Sequence, residues 1–432
     1  MKNAKKVLLF LPLLLLASCN FKYTYSIEGL DMRGGDDEEI EDDIEDGGKY
    51  DIKVWVDDKI VDLTRTQIQS FVSENMGKYD INATVEPVSE SSAAASMLQD
   101  VQSGADIFCF AQDQLARLKV AGAVSKLTGS YAKIIKKNNS EDSVAAASIG
   151  ENVYAFPVTS DNGYFLYYDD RYISEAEASD MTKILEKCKA NGKLLYFSAT
   201  SNGFYSASYF LATGCYSNWT LDEETGRFTS YDDTFNSENG VIAAKGIKQL
   251  TDASIVSANA DASKFGEDKK GAAALISGIW DYEVAKDRIG DHLKCAEMPS
   301  FTVDGKSYHL GSFDGYKLIG VKPQVDAKKA SVCRKLAKYL TGEACQTQRF
   351  KKVAWGPTNV VSSSKDAVLD HPGLAALAAQ HSYAKQQGQC PGAWFNSLAA
   401  VAKSLKADTQ DSEIRSLLAL YASELPDLLS ED

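Results

Sequence analysis

"ADIFCFAQDQLARLKVAGAVSKLT", residues 105–128, decides how the chain is organised. An apolar burst from Ala105 to Ala111 reads as a buried strand. It breaks into the polar knot Gln112-Asp113-Gln114 and resumes as a helical pattern. A strand that hands a carboxylate and two amides to the mouth of a helix is a βα junction. In open α/β sheets ligands gather at such carboxyl ends of strands, beside helix N-termini.

Upstream, "YDIKVWVDD" (50–58) reads as a strand leading into an amphipathic helix that reaches about Tyr79, with Ile60, Leu63, Ile68, Phe71 and Val72 on one face. The strand "INATVEPV" and an Ala-rich helix to about Gln102 follow. Strands alternating with helices of this length predict an α/β lobe with a largely parallel sheet. Asp57-Asp58-Lys59 and Gln112-Asp113-Gln114 both fall at strand carboxyl ends.

Downstream, "VYAFPVTSDNGYFLYYDDRYI" (153–173) is extended, aromatic and interrupted by Pro157 and a polar turn. It reads as a chain leaving one sheet for another, a hinge. Helices are expected at about 179–191, 204–213 and 238–252. "GAAALISGIWDYEVAKD" (271–287) reads as a helix followed by a loop carrying Trp280 and Tyr282. "HLGSFDGYKLIGVK" (309–322) is a second extended crossing. Helices at about 326–341 and 343–351 come next, then three more between Pro372 and about Leu429, with Trp394 near the start of one. Trp55 and Trp355 sit inside apolar pattern and read as core.

The ends are unlike the body. Lys2, Lys5 and Lys6 precede an apolar run from Val7 to Leu16, an export signal too short to span a membrane. Leu16-Ala17-Ser18-Cys19 resembles the bacterial lipobox. The resemblance implies cleavage of residues 1–18 and a lipidated Cys19 at the outer face of a membrane. Residues 19–48 then form a tether that is dense in carboxylates and glycine, expected to be disordered. The tether accounts for most of the chain's formal charge of −14, so the body is ordinary in charge and offers no basic stripe to nucleic acid. Cysteines 109, 188, 215, 295, 333, 345 and 390 form no CxxC, which argues against zinc. Their odd number leaves at least one thiol free, and their pairing is open. Cys109 reads as a small core residue.

In order and spacing, four stretches resemble the solute-binding proteins of bacterial ABC importers, carbohydrate type, of the maltose-binding family. They are "IKVWVDDK", residues 105–128, "YAFPVTSDNGYFLYYDDRYI" and "AALISGIWDYEVAKD". The resemblance covers residues 50–432 and implies a two-lobed α/β binding-protein fold. One lobe would hold residues 49–158 and 314–362, the other 163–310 and 365–432. It implies a first-lobe ligand set of Asp58, Lys59, Phe110, Asp113 and Asp161, and a second-lobe set of Asn202, Phe204, Trp280, Tyr282 and Trp394. It further implies an oligosaccharide ligand, an ABC permease as partner, a monomer and no cofactor. The family's tryptophan, arginine and glutamate appear here as Phe110, Gln114 and Asp161, which leaves the identity of the sugar open.

The residue types suit that chemistry. A sugar offers apolar C–H faces to flat aromatics and a belt of hydroxyls to carboxylates, amides and Lys. Alternatives stand beside each assignment. Asp113 serves equally as a helix N-cap, Asp58 and Lys59 as a surface pair, and Trp394 or Trp280 as core. A polyamine or metal receptor is the runner-up within the binding class. A surface glycosidase using Asp113 and Asp161 is the rival outside it.

Overall fold

The computed structural model describes residues 47–430, so the leader, Cys19 and nearly all of the acidic tether lie outside the described residues. Two mixed five-stranded sheets form the frame. In the first the strand order is Tyr79–Pro87, Gly48–Val56, Ile107–Ala111, Lys317–Val321, Ala155–Thr159. The first three strands run parallel, and Lys317–Val321 runs antiparallel to both of its neighbours. In the second the order is Val256–Ser257, Leu194–Tyr196, Ala272–Ser277, Phe165–Asp169, Leu293–Ala296, with Phe165–Asp169 reversed against both neighbours. Each sheet is therefore parallel except for a reversed strand delivered by one of the two crossings, 153–173 or 309–322.

Burial explains the strands. Ile107–Ala111 and Ala272–Ser277 are buried at every position, which is why both read as unbroken apolar runs rather than alternations. In the second case that pattern misleads. "AAALIS" is a strand, followed by a single turn, Ile279–Asp281, and the helix Tyr282–Ile289. A short apolar run buried on both faces carries no period to separate strand from helix, and its alanines tilt the reading towards helix.

Two buried apolar clusters pack on the sheets, and the one around the first sheet also takes in Phe165, Tyr167, Leu194, Tyr196 and Leu275 of the second. Ile52, Val54, Phe108, Phe110 and Leu318 pack around the first, and Leu166, Leu195, Phe210, Phe235 and Ile276 around the second. Full burial of such side chains contributes about 1.5–3 kcal/mol apiece. Between the sheets three chain segments run side by side. Ser160 N–H donates to Gly356 O (2.9 Å) and Asn162 N–H donates to Gly315 O (3.1 Å). The C-terminal helices Trp394–Ser404 and Asp411–Leu428 cover the second sheet's side. There Gly203 is obligatory, because a Cβ on it would lie 2.0 Å from Phe395 O.

Candidate functional site: a cleft between the two sheets

The polar knot of the opening stretch now has a structural account. Gln112 is buried; its Oε1 accepts from Tyr316 N–H (2.8 Å) and its carbonyl accepts from Gln389 Nε2 (2.8 Å). Gln389 Oε1 in turn accepts from Ala116 N–H (3.0 Å) at the start of the helix Leu115–Val120. Gln112 is thus a splint that ties the strand end to both later segments. Asp113 makes no cap to that helix. Its carboxylate accepts instead from the Gln114 amide, while Gln114 Oε1 accepts from Arg117 (3.1 Å). Burial pushes the Asp113 pKa up to about 6, against the pull of Gln114 and Arg117.

Asp113, Gln114 and Arg117 form part of one wall of a 570 Å³ cleft. Lys59 and Asp57 extend that wall, and Asn202, Phe204, Tyr205, Trp280, Phe395 and Asn396 form the other. Lys59 crosses the gap, its Nζ donating to the Trp280 carbonyl at 2.8 Å. Trp280 is half-buried, with its ring folded back over its own strand exit. A Cβ on Gly278 would meet the indole at 2.2 Å, so only glycine leaves room for it. Asn202 caps the helix Gly203–Ala212 through Phe204 N–H (3.0 Å). Phe204 stacks on Phe313 at 5.4 Å and meets Phe395 edge-on at 5.9 Å.

The floor is charged and buried. Lys317 is 4 % exposed, lies 3.7 Å from the Trp355 ring centroid and 5.4 Å from that of Trp280, and sits 4.0 Å from Asp161 Oδ1. Burial works against its charge, but the carboxylates of Glu90, Asp161 and Asp57 outweigh that and hold its pKa above the ordinary lysine value.

Of the ten expected site residues, the structure brings Lys59, Asp113, Asn202, Phe204 and Trp280 together on the cleft. The other expected site residues lie elsewhere. Phe110 is fully buried beside Phe108, 5.5 Å between rings, because its side of the strand faces the core. Asp161 is also fully buried, its oxygens accepting from Thr159 Oγ1 and Gly356 N–H at 2.6 Å each. It is an anchor for the crossing, with neither oxygen free for a ligand. Asp58 is exposed outside the cleft. Tyr282 packs on His371, 4.2 Å between ring centroids. Trp394 is core, its Nε1 donating to Tyr421 Oη at 2.8 Å. Sequence reasoning missed Glu90, Lys317 and Phe395, while Trp355, read as core, is buried in the core and also borders the cleft. A lysine inside the apolar strand "KLIGV" was the one legible signal among them.

Residues 66–376 match the family model described as bacterial extracellular solute-binding protein. The chain belongs to that family. Among solved structures this solute-binding protein is similar to one described as "with acarbose", at 25 % identity and TM-score 0.74, covering 88 % of this chain and 100 % of that one. It is similar to the maltodextrin-binding protein of L. casei BL23 solved without ligand, at 20 % identity and TM-score 0.71, covering 89 % and 100 %. It is also similar to the maltose/maltodextrin-binding domain from Bdellovibrio bacteriovorus bound to maltotriose, at 19 % and 0.69, covering 88 % and 100 %. No curated protein sequence matches it significantly. The two-lobed fold of the maltose-binding proteins, and an extracytoplasmic setting, follow from these matches.

Proposed function

We propose that this solute-binding protein is the lipid-anchored receptor of an ABC importer that captures an oligosaccharide between its two walls and hands it to the permease. One observation carries the reading. The cleft has an aromatic wall (Trp280, Phe204, Phe395) facing a polar wall (Asp113, Gln114, Arg117), the complement of a sugar's apolar faces and hydroxyl rim. Maltodextrins are the first candidates, since maltotriose occupies the Bdellovibrio relative. Lobes of residues 49–158 with 314–362, and 163–310 with 365–432, would swing about the segments joined at Asn162, Gly315 and Gly356, so that only closure engages both walls. Cys19 would carry the lipid.

The glycosidase alternative needs two available carboxyl groups. Asp161 is sealed under two hydrogen bonds and so is no partner for Asp113. Calorimetric titration with maltose, maltotriose and longer maltodextrins, paired with small-angle scattering, tests the proposal. Reversible binding with a fall in radius of gyration is expected. Absence of heat and of compaction with every glycan, or release of reducing sugar, would end it.

A further inference from the structure

Glu90 opens the helix Glu90–Gln99 and lines the cleft next to Lys317. The residue is 7 % exposed, and among the described residues its Oε1 has no hydrogen-bond partner. Burial pushes its pKa up while Lys317 pulls against that. Beside it Trp355, 1 % exposed and also on the cleft, holds a second orphan, the indole Nε1. Buried polar atoms are nearly always paired, and an unpaired one is costly. Here one bare acceptor and one bare donor share a floor. Lys317 already supplies the charge that Glu90 needs, so what is missing is hydrogen bonds rather than an ion. Lys317, on the same floor, is backed by the buried Asp161 at 4.0 Å. Trp280 roofs Lys317 from the opposite wall.

We infer that Glu90 and Trp355 form a closed-ended subsite for the terminal ring of a neutral sugar, with Glu90 Oε1 accepting from one hydroxyl and Trp355 Nε1 donating to another. The subsite rests on the sugar-binding reading of the cleft and adds to it that the chain is held by one end. Parting of the walls lifts Trp280 off the floor and admits the ring. A uronate in place of the terminal sugar would set a second carboxylate against Glu90 and be rejected.

The rival is a Glu90 that only balances Lys317. Titrations of the full chain, Glu90→Gln and Glu90→Asp separate the two, using maltotriose, maltotriitol and maltotriose O-methylated on its non-reducing ring. Loss of a charge-assisted hydrogen bond should weaken maltotriose binding about tenfold or more in both variants. One of the two end-modified probes should bind the unaltered protein as weakly as maltotriose binds the variants, and lose little further in them. Equal maltotriose affinity in all three proteins, or the same fold loss on every probe, overturns the subsite and leaves the sugar reading standing. Failure of the unaltered protein to bind any maltodextrin overturns both.

Discussion

Lys59 Nζ reaches across the cleft to the carbonyl oxygen of Trp280, 2.8 Å away, joining two walls whose residues lie 221 positions apart in the chain. The bond is solvent-exposed, so its worth is modest, at most about 1 kcal/mol. Its position gives it leverage nonetheless, since it exists only when the walls are close. Lys59→Met should enlarge the ligand-free radius of gyration and weaken glycan binding by no more than about fivefold. Scattering of the two proteins without ligand checks the first effect, and calorimetry the second. An unchanged ligand-free profile would show that the bond does not hold the walls together.

Trp280 depends on a residue that touches no ligand. A methyl group at Gly278 would occupy the space of the indole, 2.2 Å from its Cη2 and Cζ3. Gly278→Ala should therefore swing the ring off its present site. Overpacking of this kind costs about 1–3 kcal/mol in stability, and glycan affinity should fall at least tenfold, as for loss of an aromatic anchor. Tryptophan emission on titration with maltotriose reports both the displaced ring and the weakened binding. Retention of the unaltered affinity and emission would place the stacking elsewhere.

Asp113 gives binding and stability opposite pH dependences. Its pKa lies at about 6 in the fold against an ordinary 3.8. Between those values the folded chain holds a proton that the unfolded chain has released, so the stability from this group is full at low pH and is lost as pH rises through about 6. A carboxylate that accepts sugar hydroxyls acts in the other sense, and affinity should rise through the same window. Dissociation constants for maltotriose from pH 5 to 8 should show that rise, and Asp113→Asn should flatten it. A flat profile in the unaltered protein would remove Asp113 from the ligand contacts.

The first sheet, both crossings and the polar knot were legible because burial and hinge breaks leave long-range patterns, whereas the second sheet was not, its central strand Ala272–Ser277 reading as a helix. Part of the cleft lining was legible to the nearest residue only. Asp57 lines the cleft and Asp58 does not, Ala111 does and Phe110 does not, Asn162 does and Asp161 does not, Phe395 does and Trp394 does not. In a strand one step turns a side chain to the opposite face, and in a helix it turns it by about 100°. Resemblance at low identity carries the segment and not the phase. Trp394 and Phe395 show the consequence: the larger aromatic bonds Tyr421 in the core and the smaller meets the cleft. Glu90 was hidden for a different reason, since an acid in a helix's first turn is ordinary wherever it points.

Asp161 shows what the polar floor contributes when it binds nothing. Its carboxylate accepts from Thr159 and Gly356 and stands 4.0 Å from the buried Lys317. Burial pushes its pKa up, against the pull of Lys317. Removing one partner of a buried charge pair strands the other, so Asp161→Ala should destabilise the fold by about 3–5 kcal/mol. Asp161→Asn keeps an acceptor for one of the two donors and should cost less. In a Lys317→Met background the cation is gone, and Asp161→Asn should then cost less again, by a coupling of about 0.5–3 kcal/mol. Urea unfolding of the four proteins measures that cycle. Additive losses would mean that Lys317 answers to Glu90 and Asp57, with Asp161 serving only to fasten the crossing to Gly356.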